Sequence, residues 1–409
     1  MTNNVFSPFT LPNGNQIKNR VAKAAMEENM GSAERLPNQA LFNLYKQWAD
    51  GGVGLLITGN VMVDRFAMTG PGGIALERDT DLTLFKQWAK TAQANDTKVW
   101  MQINHPGRQV YKNMGGKVLA PSAVNMNMGK LSGMFGQPKA MSEAEIDDVI
   151  ERFVTTATLA QQAGFDGVEV HAAHGYLLSQ FLSPLTNKRT DKWGGSLENR
   201  ARLLLTIVEK IREKCGQQFD LAVKLNSADF QRGGFDAKDA AQVVNMLAKY
   251  QLDMVELSGG SYESPALQGR TADDSTLSRE AYFLDFSAQI AKNSPVPIMT
   301  TGGIRRLPVA NKVIDSGIDM VGIGGALSFT PNLVNVWQQR PEFVGPVPEI
   351  DWQHKTFRGL AIMAIVKRQL RRLGAGKSAK PALNPYLTML IDQVRQTKLT
   401  KRYRNQLKL

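Results

Sequence analysis

The sequence predicts an α/β protein built on a (β/α)8 barrel, and three observations lead to this fold class. Eight short apolar runs alternate with eight stretches of helical periodicity. Several runs are apolar almost throughout, as parallel strands buried on both faces are. The rival fold, an open doubly wound sheet, would favour a GxGxxG turn after an early strand, and none is present there. The predicted strands occupy residues 21–26, 53–59, 98–103, 167–172, 221–226, 253–259, 296–303 and 319–325.

Helical stretches fill the intervals between these strands, and two of them begin with a recognisable signal. Ser142 and Glu145 have the spacing of a capping box. Ser196 precedes the next helix, with Asn199 where the box favours Glu or Gln. The predicted helices occupy residues 37–50, 79–94, 142–163, 196–214, 237–250, 279–293, 305–316 and 330–339.

Two segments lie outside the alternation, and a third follows it. Residues 5–18 contain Asn13-Gly14, a typical hairpin turn, and we expect this hairpin to close the bottom of the barrel. Residues 104–141 are rich in Gly, Met, Asn and Pro without any period, which predicts a long excursion over the active face. A linker-like stretch, PVPEIDW, separates a barrel domain at 1–345 from an extension at 346–409.

The net charge of +12 is confined to residues 351–409 of that extension. Fourteen of the 49 basic residues but two of the 37 acidic residues lie in 351–409, so residues 1–350 carry 35 of each. A neutral body argues against a nucleic-acid-binding domain. A single cysteine, Cys215, excludes an internal disulfide or a multi-cysteine metal site. With no apolar run of about 18 residues and no signal-peptide pattern, we expect a cytoplasmic protein.

Residues at the carboxyl ends of the barrel strands are the candidates for a site, because active sites of this fold lie there. Glycine doublets follow strands seven and eight, and each precedes a helical stretch. Without a Cβ, their backbone N–H groups can approach a phosphate closely; the alternative is that they are turn glycines. The candidates are Ala25, Met26, Glu27, Gly59, Gln102, Asn104, His105, His171, His174, Tyr176, Lys224, Asn226, Gly302, Gly303, Gly324 and Gly325.

The stretch HAAHGY after strand four allows three interpretations. His171 and His174 could be metal ligands together with His105, hydrogen-bond donors to a developing oxyanion, or packed structural histidines. No carboxylate stands at a matching strand end, which weakens the metal interpretation.

Two polar residues follow otherwise apolar strands. Lys224 could be a Schiff-base nucleophile, a fixed cation beside an anionic cofactor, or a lysine reaching solvent. The Gln102 amide offers a donor and an acceptor, which suits the edge of a heterocycle.

Together these segments resemble the Old Yellow Enzyme family of FMN-dependent ene-reductases. The resemblance rests on NRVAKAAM (19–26), QINHPGRQ (102–109), GFDGVEVHAAHGYLLSQFLSPLTNKRTDKWGGSLENR (164–200) and the terminal glycine pairs. It covers roughly residues 3–340. KLNSADFQRGGF (224–235) is most similar to the branch named NADH:flavin oxidoreductase / NADH oxidase.

The resemblance implies a role for each matching residue. Ala25 and Met26 would lie against the flavin, Gly59 and Gln102 at its edge, and Lys224 beside its N1/C2=O region. Gly303, Gly324 and Gly325 would bind the FMN phosphate. His171 and His174 would hold the substrate carbonyl oxygen, and Tyr176 would donate the proton.

The implied reaction uses NADH or NADPH to reduce FMN. Flavin N5 then passes hydride to an activated alkene while Tyr176 protonates the neighbouring carbon. The substrate would be a small electrophilic alkene, such as an α,β-unsaturated carbonyl compound. The alternative is a barrel that binds flavin or another phosphate ligand with weak or no catalysis, as a regulatory protein.

The chain departs from the family pattern at several positions. Gly325 stands where an arginine is usual, which removes a phosphate contact. Glu27 stands where Thr or Cys is usual, and its charge would disfavour reduced, anionic flavin. Asn29 replaces a common tyrosine, and Lys224 replaces an arginine. These changes put FMN affinity and potential in question.

The extension contains a basic, amphipathic stretch at residues 355–375, which predicts a helix capped by Gly374. A second basic cluster, KLTKRYRNQLKL, follows. We expect the apolar stripe to pack on the barrel and to stabilise the fold or a homo-oligomer. Weak, salt-sensitive binding to an anionic membrane surface is the alternative, and nucleic acid is the least favoured partner.

Overall fold

The computed structural model describes residues 4–264 and 280–407, and its centre is a closed barrel of eight parallel strands. Each strand pairs with the next in chain order, and β8 pairs with β1 to close the barrel. The strands are β1 (Val21–Lys23), β2 (Leu55–Ile57), β3 (Lys98–Asn104), β4 (Gly167–Ala172), β5 (Asp220–Asn226), β6 (Met254–Ser258), β7 (Ile298–Thr301) and β8 (Met320–Ile323). All eight predicted strands are therefore confirmed, as is the fold class.

Helices surround the barrel, and most of them bury one apolar face against the strands. The predicted caps are present: Ser142 and Glu145 form the capping box, and the Ser196 hydroxyl accepts from the Asn199 N–H at 3.3 Å. The helices are α1 (Gln39–Asp50), α2 (Thr83–Ala92), α3 (Glu143–Gln162), α4 (Leu177–Leu182), α5 (Leu197–Cys215), α6 (Ala237–Ala248), α7 (Leu284–Ala291), α8 (Leu307–Asp315), α9 (Leu333–Gln339), α10 (Lys355–Gly374) and α11 (Pro385–Leu407). The start of the helix predicted at 279–293 lies partly outside the described residues.

The N-terminal hairpin closes the bottom of the barrel, as predicted. Its strands, Phe9–Thr10 and Gln16–Ile17, pair antiparallel. Phe9, Leu11 and Ile17 pack in one apolar cluster with side chains inside the barrel, among them Trp100 and Met254. This plug fills the end opposite the candidate site, so a ligand has access at the carboxyl ends of the strands.

The predicted excursion after β3 contains little regular structure. Its 3-10 helices are Lys112–Met114 and Gly129–Met134, and its two short strands, Leu119–Ala120 and Lys139–Ala140, pair with each other. Further short strands, Val61–Met62 and Ile74–Ala75, extend the sheet beside β3.

The C-terminal helices pack against the barrel, although the domain boundary at 345 remains a prediction. Side chains of α1 bind the end of α10: the Gln47 amide donates to the Leu373 carbonyl at 2.7 Å. The cap predicted at Gly374 is wrong. Gly374 is the last helical residue, and a Cβ there would lie 2.6 Å from the Ala40 carbonyl oxygen. Gly376, with φ of 71°, follows the helix instead and makes the left-handed turn.

Among the described residues, no helix is both long enough and apolar enough to cross a membrane.

Candidate active site

The two histidines after β4 lie side by side at the barrel mouth. Their rings are nearly perpendicular, with centroids 5.0 Å apart. His171 Nδ1 accepts the Ala173 N–H at 3.2 Å, so in the neutral ring the proton is on Nε2. His174 has φ of 60°, and its N–H donates to Asn226 Oδ1 at 3.1 Å. Its Nε2 lies 2.8 Å from the Ser258 hydroxyl.

Both imidazoles are held in the neutral form. Burial lowers the pKa of His171 well below its usual value, with smaller contributions from His174 and Lys224. Burial, and next the charge of Lys224, lower the pKa of His174 well below its usual value as well. Neutral imidazoles carry one N–H each, so the pair can donate hydrogen bonds to an oxygen that gains charge.

Tyr176 stands against this pair. Its ring centroid lies 5.0 Å from that of His171, and its hydroxyl is 3.2 Å from the Tyr262 hydroxyl. Burial, and next the charge of Glu27, raise the pKa of Tyr176. The phenol therefore keeps its proton at neutral pH and can deliver it.

Beneath the histidines is a buried layer of charged groups. In the strand register, Lys224 is the partner of both His171 and Glu256. The Lys224 ammonium forms an ion pair with Glu256 and its side chain is 3% exposed, which contradicts a lysine reaching solvent and favours the fixed cation. Gln102 Nε2 donates to Glu169 Oε2 at 2.6 Å. Burial, then the Glu256 charge, raise the pKa of Glu169.

Gly59 is glycine because its surroundings leave no room for a side chain. Its N–H donates to the Tyr45 hydroxyl at 3.0 Å and to Glu28 Oε1 at 3.3 Å. A Cβ at Gly59 would lie 1.9 Å from Glu28 Oε2. Lys23 completes this group at 3.7 Å from Glu28, and burial lowers its pKa to about 8.

Glu27 is not an isolated charge. Its Oε1 accepts from the Thr69 hydroxyl at 2.6 Å, and its Oε2 lies 3.4 Å from Lys367 Nζ on α10. Ala25 and Met26, immediately before it, are half-buried at the strand end.

The glycine doublets lie at the ends of β7 and β8, as predicted. Gly303 has φ of 72°, and the Tyr282 ring lies where a Cβ would point. Around Gly324 and Gly325 the space is open: a Cβ would meet only Met26 at 3.7 Å or Val347 at 3.6 Å. A 3-10 helix, Gly325–Ser328, begins there. Nearby, Glu280 binds Arg305 Nε at 3.4 Å and Arg306 Nε at 2.7 Å.

These residues fit a flavin nucleotide. The open backbone at Gly324 and Gly325, at the end of β8, can admit a phosphate, whereas the Tyr282 ring lies beside Gly303 at the end of β7. The Gln102 amide and the Lys224 ammonium lie in one buried layer at the strand ends, where Glu169 and Glu256 hold them. An amide and a cation of this kind suit the polar edge of a flavin ring.

The described structure does not support the interpretation of His105, His171 and His174 as metal ligands. Over residues 4–264 and 280–407, no three His, Cys, Asp or Glu side chains are grouped to hold an ion. His105 Nδ1 accepts the Gly107 N–H at 3.1 Å, and burial lowers its pKa to about 4.

Several residues of this site were not among the sequence candidates, and Ser258, Tyr262 and Lys367 lie closest to the groups proposed to react. Ser258 ends β6, and Tyr262 follows four residues later; the same strand-end rule applied to strand six would have found both. Lys367 had no local signal, because only the folded chain brings α10 beside Glu27.

Comparison with known proteins identifies the family. The sequence model of the NADH:flavin oxidoreductase / NADH oxidase family matches residues 4–342. The chain is 35% identical over 348 residues to the NADH-dependent flavin oxidoreductase iliE of Hypocrea jecorina, covering 80% of this chain and 86% of the relative. It is 33% identical to the NADH oxidase of Thermoanaerobacter brockii, covering 77% of this chain and 48% of that enzyme.

Solved structures share the fold. A 2-naphthoyl-CoA reductase in complex with 2-naphthoyl-CoA superposes with a TM-score of 0.76 at 27% identity, over 84% of this chain and 54% of that one. The old yellow enzyme homologue of Zymomonas mobilis superposes with a TM-score of 0.71 at 23% identity, over 83% and 94% of the two chains. The chain therefore belongs to the NADH:flavin oxidoreductase / NADH oxidase family, as its motifs predicted.

Proposed function

We propose that this NAD(P)H-dependent FMN oxidoreductase reduces electrophilic alkenes, with His171, His174 and Tyr176 as the residues that act on the substrate. The observation that carries the proposal is the grouping of two neutral imidazoles and one protonated phenol at the barrel mouth, within 5.0 Å between ring centroids. Such a group can bind an oxygen and deliver a proton to a neighbouring atom.

The histidines bind and polarise the substrate carbonyl. Because both rings are neutral, they donate N–H groups without placing a positive charge in the site. Hydrogen bonds to that oxygen strengthen as it gains negative charge, which lowers the barrier. Asn226 and Ser258 orient His174 for this role, because they bind its backbone N–H and its ring.

Tyr176 supplies the proton. Tyr262 is within hydrogen-bond distance of its hydroxyl and orients it. The raised pKa keeps the phenol protonated until a carbanion-like carbon, a far stronger base than water, accepts the proton.

The chain would hold FMN with residues from six strand ends. Bound FMN supplies the hydride, which it takes from NADH or NADPH. Gly303, Gly324 and Gly325 would bind its phosphate, and Lys224, whose ammonium is paired with Glu256, would lie beside the N1/C2=O region of the ring. The remaining contacts come from Ala25, Met26, Glu27, Gly59 and Gln102.

The alternative, a flavin-binding protein without catalysis, is not favoured, because it leaves no role for the preserved arrangement of His171, His174 and Tyr176. The direct test is the purified protein. We expect a yellow protein whose flavin is bleached anaerobically by NADH or NADPH and is reoxidised by α,β-unsaturated carbonyl compounds. A colourless protein that takes up no FMN would contradict the proposal, and a yellow protein that neither nucleotide bleaches would support the binding-protein alternative.

A further inference from the structure

Glu27 has a charge partner that comes from the far end of the chain. Lys367 lies near the middle of α10, and its ammonium is 3.4 Å from Glu27 Oε2. The Lys367 side chain is 14% exposed and that of Glu27 is 22% exposed, so water screens the pair only partly. By contrast, Lys398 on α11 is exposed to solvent. Lys367 is therefore not one of the extension's solvated cations.

The extension also binds the loop that carries Glu27. From α11, Arg395 Nη2 donates to the Asn29 carbonyl at 3.0 Å, and Arg402 Nη2 donates to the Gly31 carbonyl at 3.5 Å. Asn29 has φ of 55°, a conformation that needs support in a residue other than glycine. Three cations of the extension thus act on residues 27–31.

Glu27 is close enough to the reacting groups for its charge to matter. It contributes to the electrostatic environment of Tyr176, and also to that of Tyr111 and Tyr262. An unbalanced carboxylate at this place would oppose a second negative charge, whether on reduced flavin or on a substrate oxygen.

We propose that the C-terminal extension completes the active site: Lys367 is a positioning residue that balances Glu27, so that a site with a carboxylate at its wall can still accept negative charge on the reduced flavin. This inference rests on the proposed function, because it places Glu27 beside FMN. The inference also assigns the basic extension a function in the site at the barrel mouth. The sequence suggested only packing on the barrel or binding to a surface.

The test uses the full-length protein in four variants: Lys367→Met, Glu27→Gln, the double variant, and Lys398→Met as the matched control. In Lys367→Met we expect the FMN midpoint potential to shift to more negative values. We also expect the FMN dissociation constant to rise about tenfold, as for loss of one partner in a partly shielded ion pair. Glu27→Gln should shift the potential in the positive direction. The double variant should return close to wild type, and Lys398→Met should match wild type throughout.

Two results would overturn the inference. One is a Lys367→Met variant whose potential and FMN affinity equal those of Lys398→Met, even if its melting temperature falls, because that would make Lys367 a packing residue only. The other is a double variant that recovers nothing. Melting temperatures of the apoproteins provide a readout without flavin. If the wild type holds no FMN, the proposed function fails, whereas additive melting-temperature changes across the cycle would separately refute the ion pair.

Discussion

Tyr176 is the residue whose assigned role is easiest to separate from flavin chemistry. Replacing it by Phe removes the hydroxyl bound to Tyr262 and leaves the ring against His171. We expect Tyr176→Phe to slow alkene reduction by about 10²–10⁴-fold, the usual contribution of a general acid, while reduction of the flavin by NAD(P)H changes little. Rapid-mixing measurements of the two half-reactions check this. Equal slowing of both would mean that Tyr176 is not the donor.

The protonation states of the site predict a flat pH profile. The pKa of Tyr176 is raised, so its proton is present throughout the neutral range and is lost only above the usual pKa of about 10. The pKa values of His171 and His174 are lowered, so both rings are already neutral below their usual pKa of about 6.5. His171, His174 and Tyr176 should therefore add no limb to the pH profile of alkene reduction between about pH 6.5 and 9, where the described titration is that of Lys23 near pH 8. A limb with an apparent pKa near that of an ordinary histidine would contradict the neutral pair.

The positions of His171, His174 and Tyr176 were predictable from sequence. They lie at the end of β4 or just after it, and strand ends in this fold face the site. The same rule applies to Ser258 and Tyr262, so both could have been predicted from sequence. The ion pair of Lys224 with Glu256 was not, because it depends on the register between β5 and β6.

At the scale of elements, the periodicity of apolar residues predicted the barrel. Each strand and helix buries one face, and apolar residues recur in its sequence at the spacing of that face. The hairpin was also predictable, since Asn13-Gly14 specifies its turn locally. The cap at Gly374 was wrong for a physical reason: that glycine allows close approach to α1, a tertiary contact, and Gly376 makes the turn.

The turn between β8 and its 3-10 helix carries a prediction about FMN. A Cβ at Gly325 would meet Val347 at an ordinary 3.6 Å, so a side chain fits there. Gly325→Arg should lower the FMN dissociation constant by about tenfold or more, as a charged hydrogen bond to phosphate would. Fluorescence titration of apoprotein with FMN measures it. Gly133→Arg is the matched control, because a Cβ there meets nothing within 4 Å in the excursion. No gain in a folded Gly325→Arg variant would mean that Arg305 or Arg306 already serves the phosphate.

At the scale of the whole molecule, the extension behaves as part of the barrel's surface. Ile365, Leu370 and Leu373 of its amphipathic stripe are buried, and Tyr403 donates a hydrogen bond to the Arg65 carbonyl at 2.9 Å. Sequence could predict a helix that needs burial, but it could not say where the helix docks. Homo-oligomer formation and weak binding to anionic surfaces remain predictions.

Deleting residues 351–409 tests these whole-molecule expectations. We expect the melting temperature to fall, because the deletion exposes the faces of α1 and of the 27–31 loop that α10 and α11 cover. Calorimetry, light scattering and vesicle sedimentation of the full and shortened chains give stability, mass and membrane binding. Unchanged stability and mass with loss of vesicle binding would instead identify the extension as a membrane tether.

The pairing of β8 with β1 has a consequence for the nascent chain during synthesis. It pairs Val321 with Val21, so the sheet can close only after almost the whole barrel has been synthesised. At about 5–20 residues per second, synthesis of the intervening stretch takes roughly 15–60 s, during which β1 and the most recently made strand each have an unpaired edge. Open edges invite pairing with other chains. A ribosome stalled before β8 would therefore release an aggregation-prone fragment, whereas one stalled inside α10 would release a closed barrel with an incomplete site.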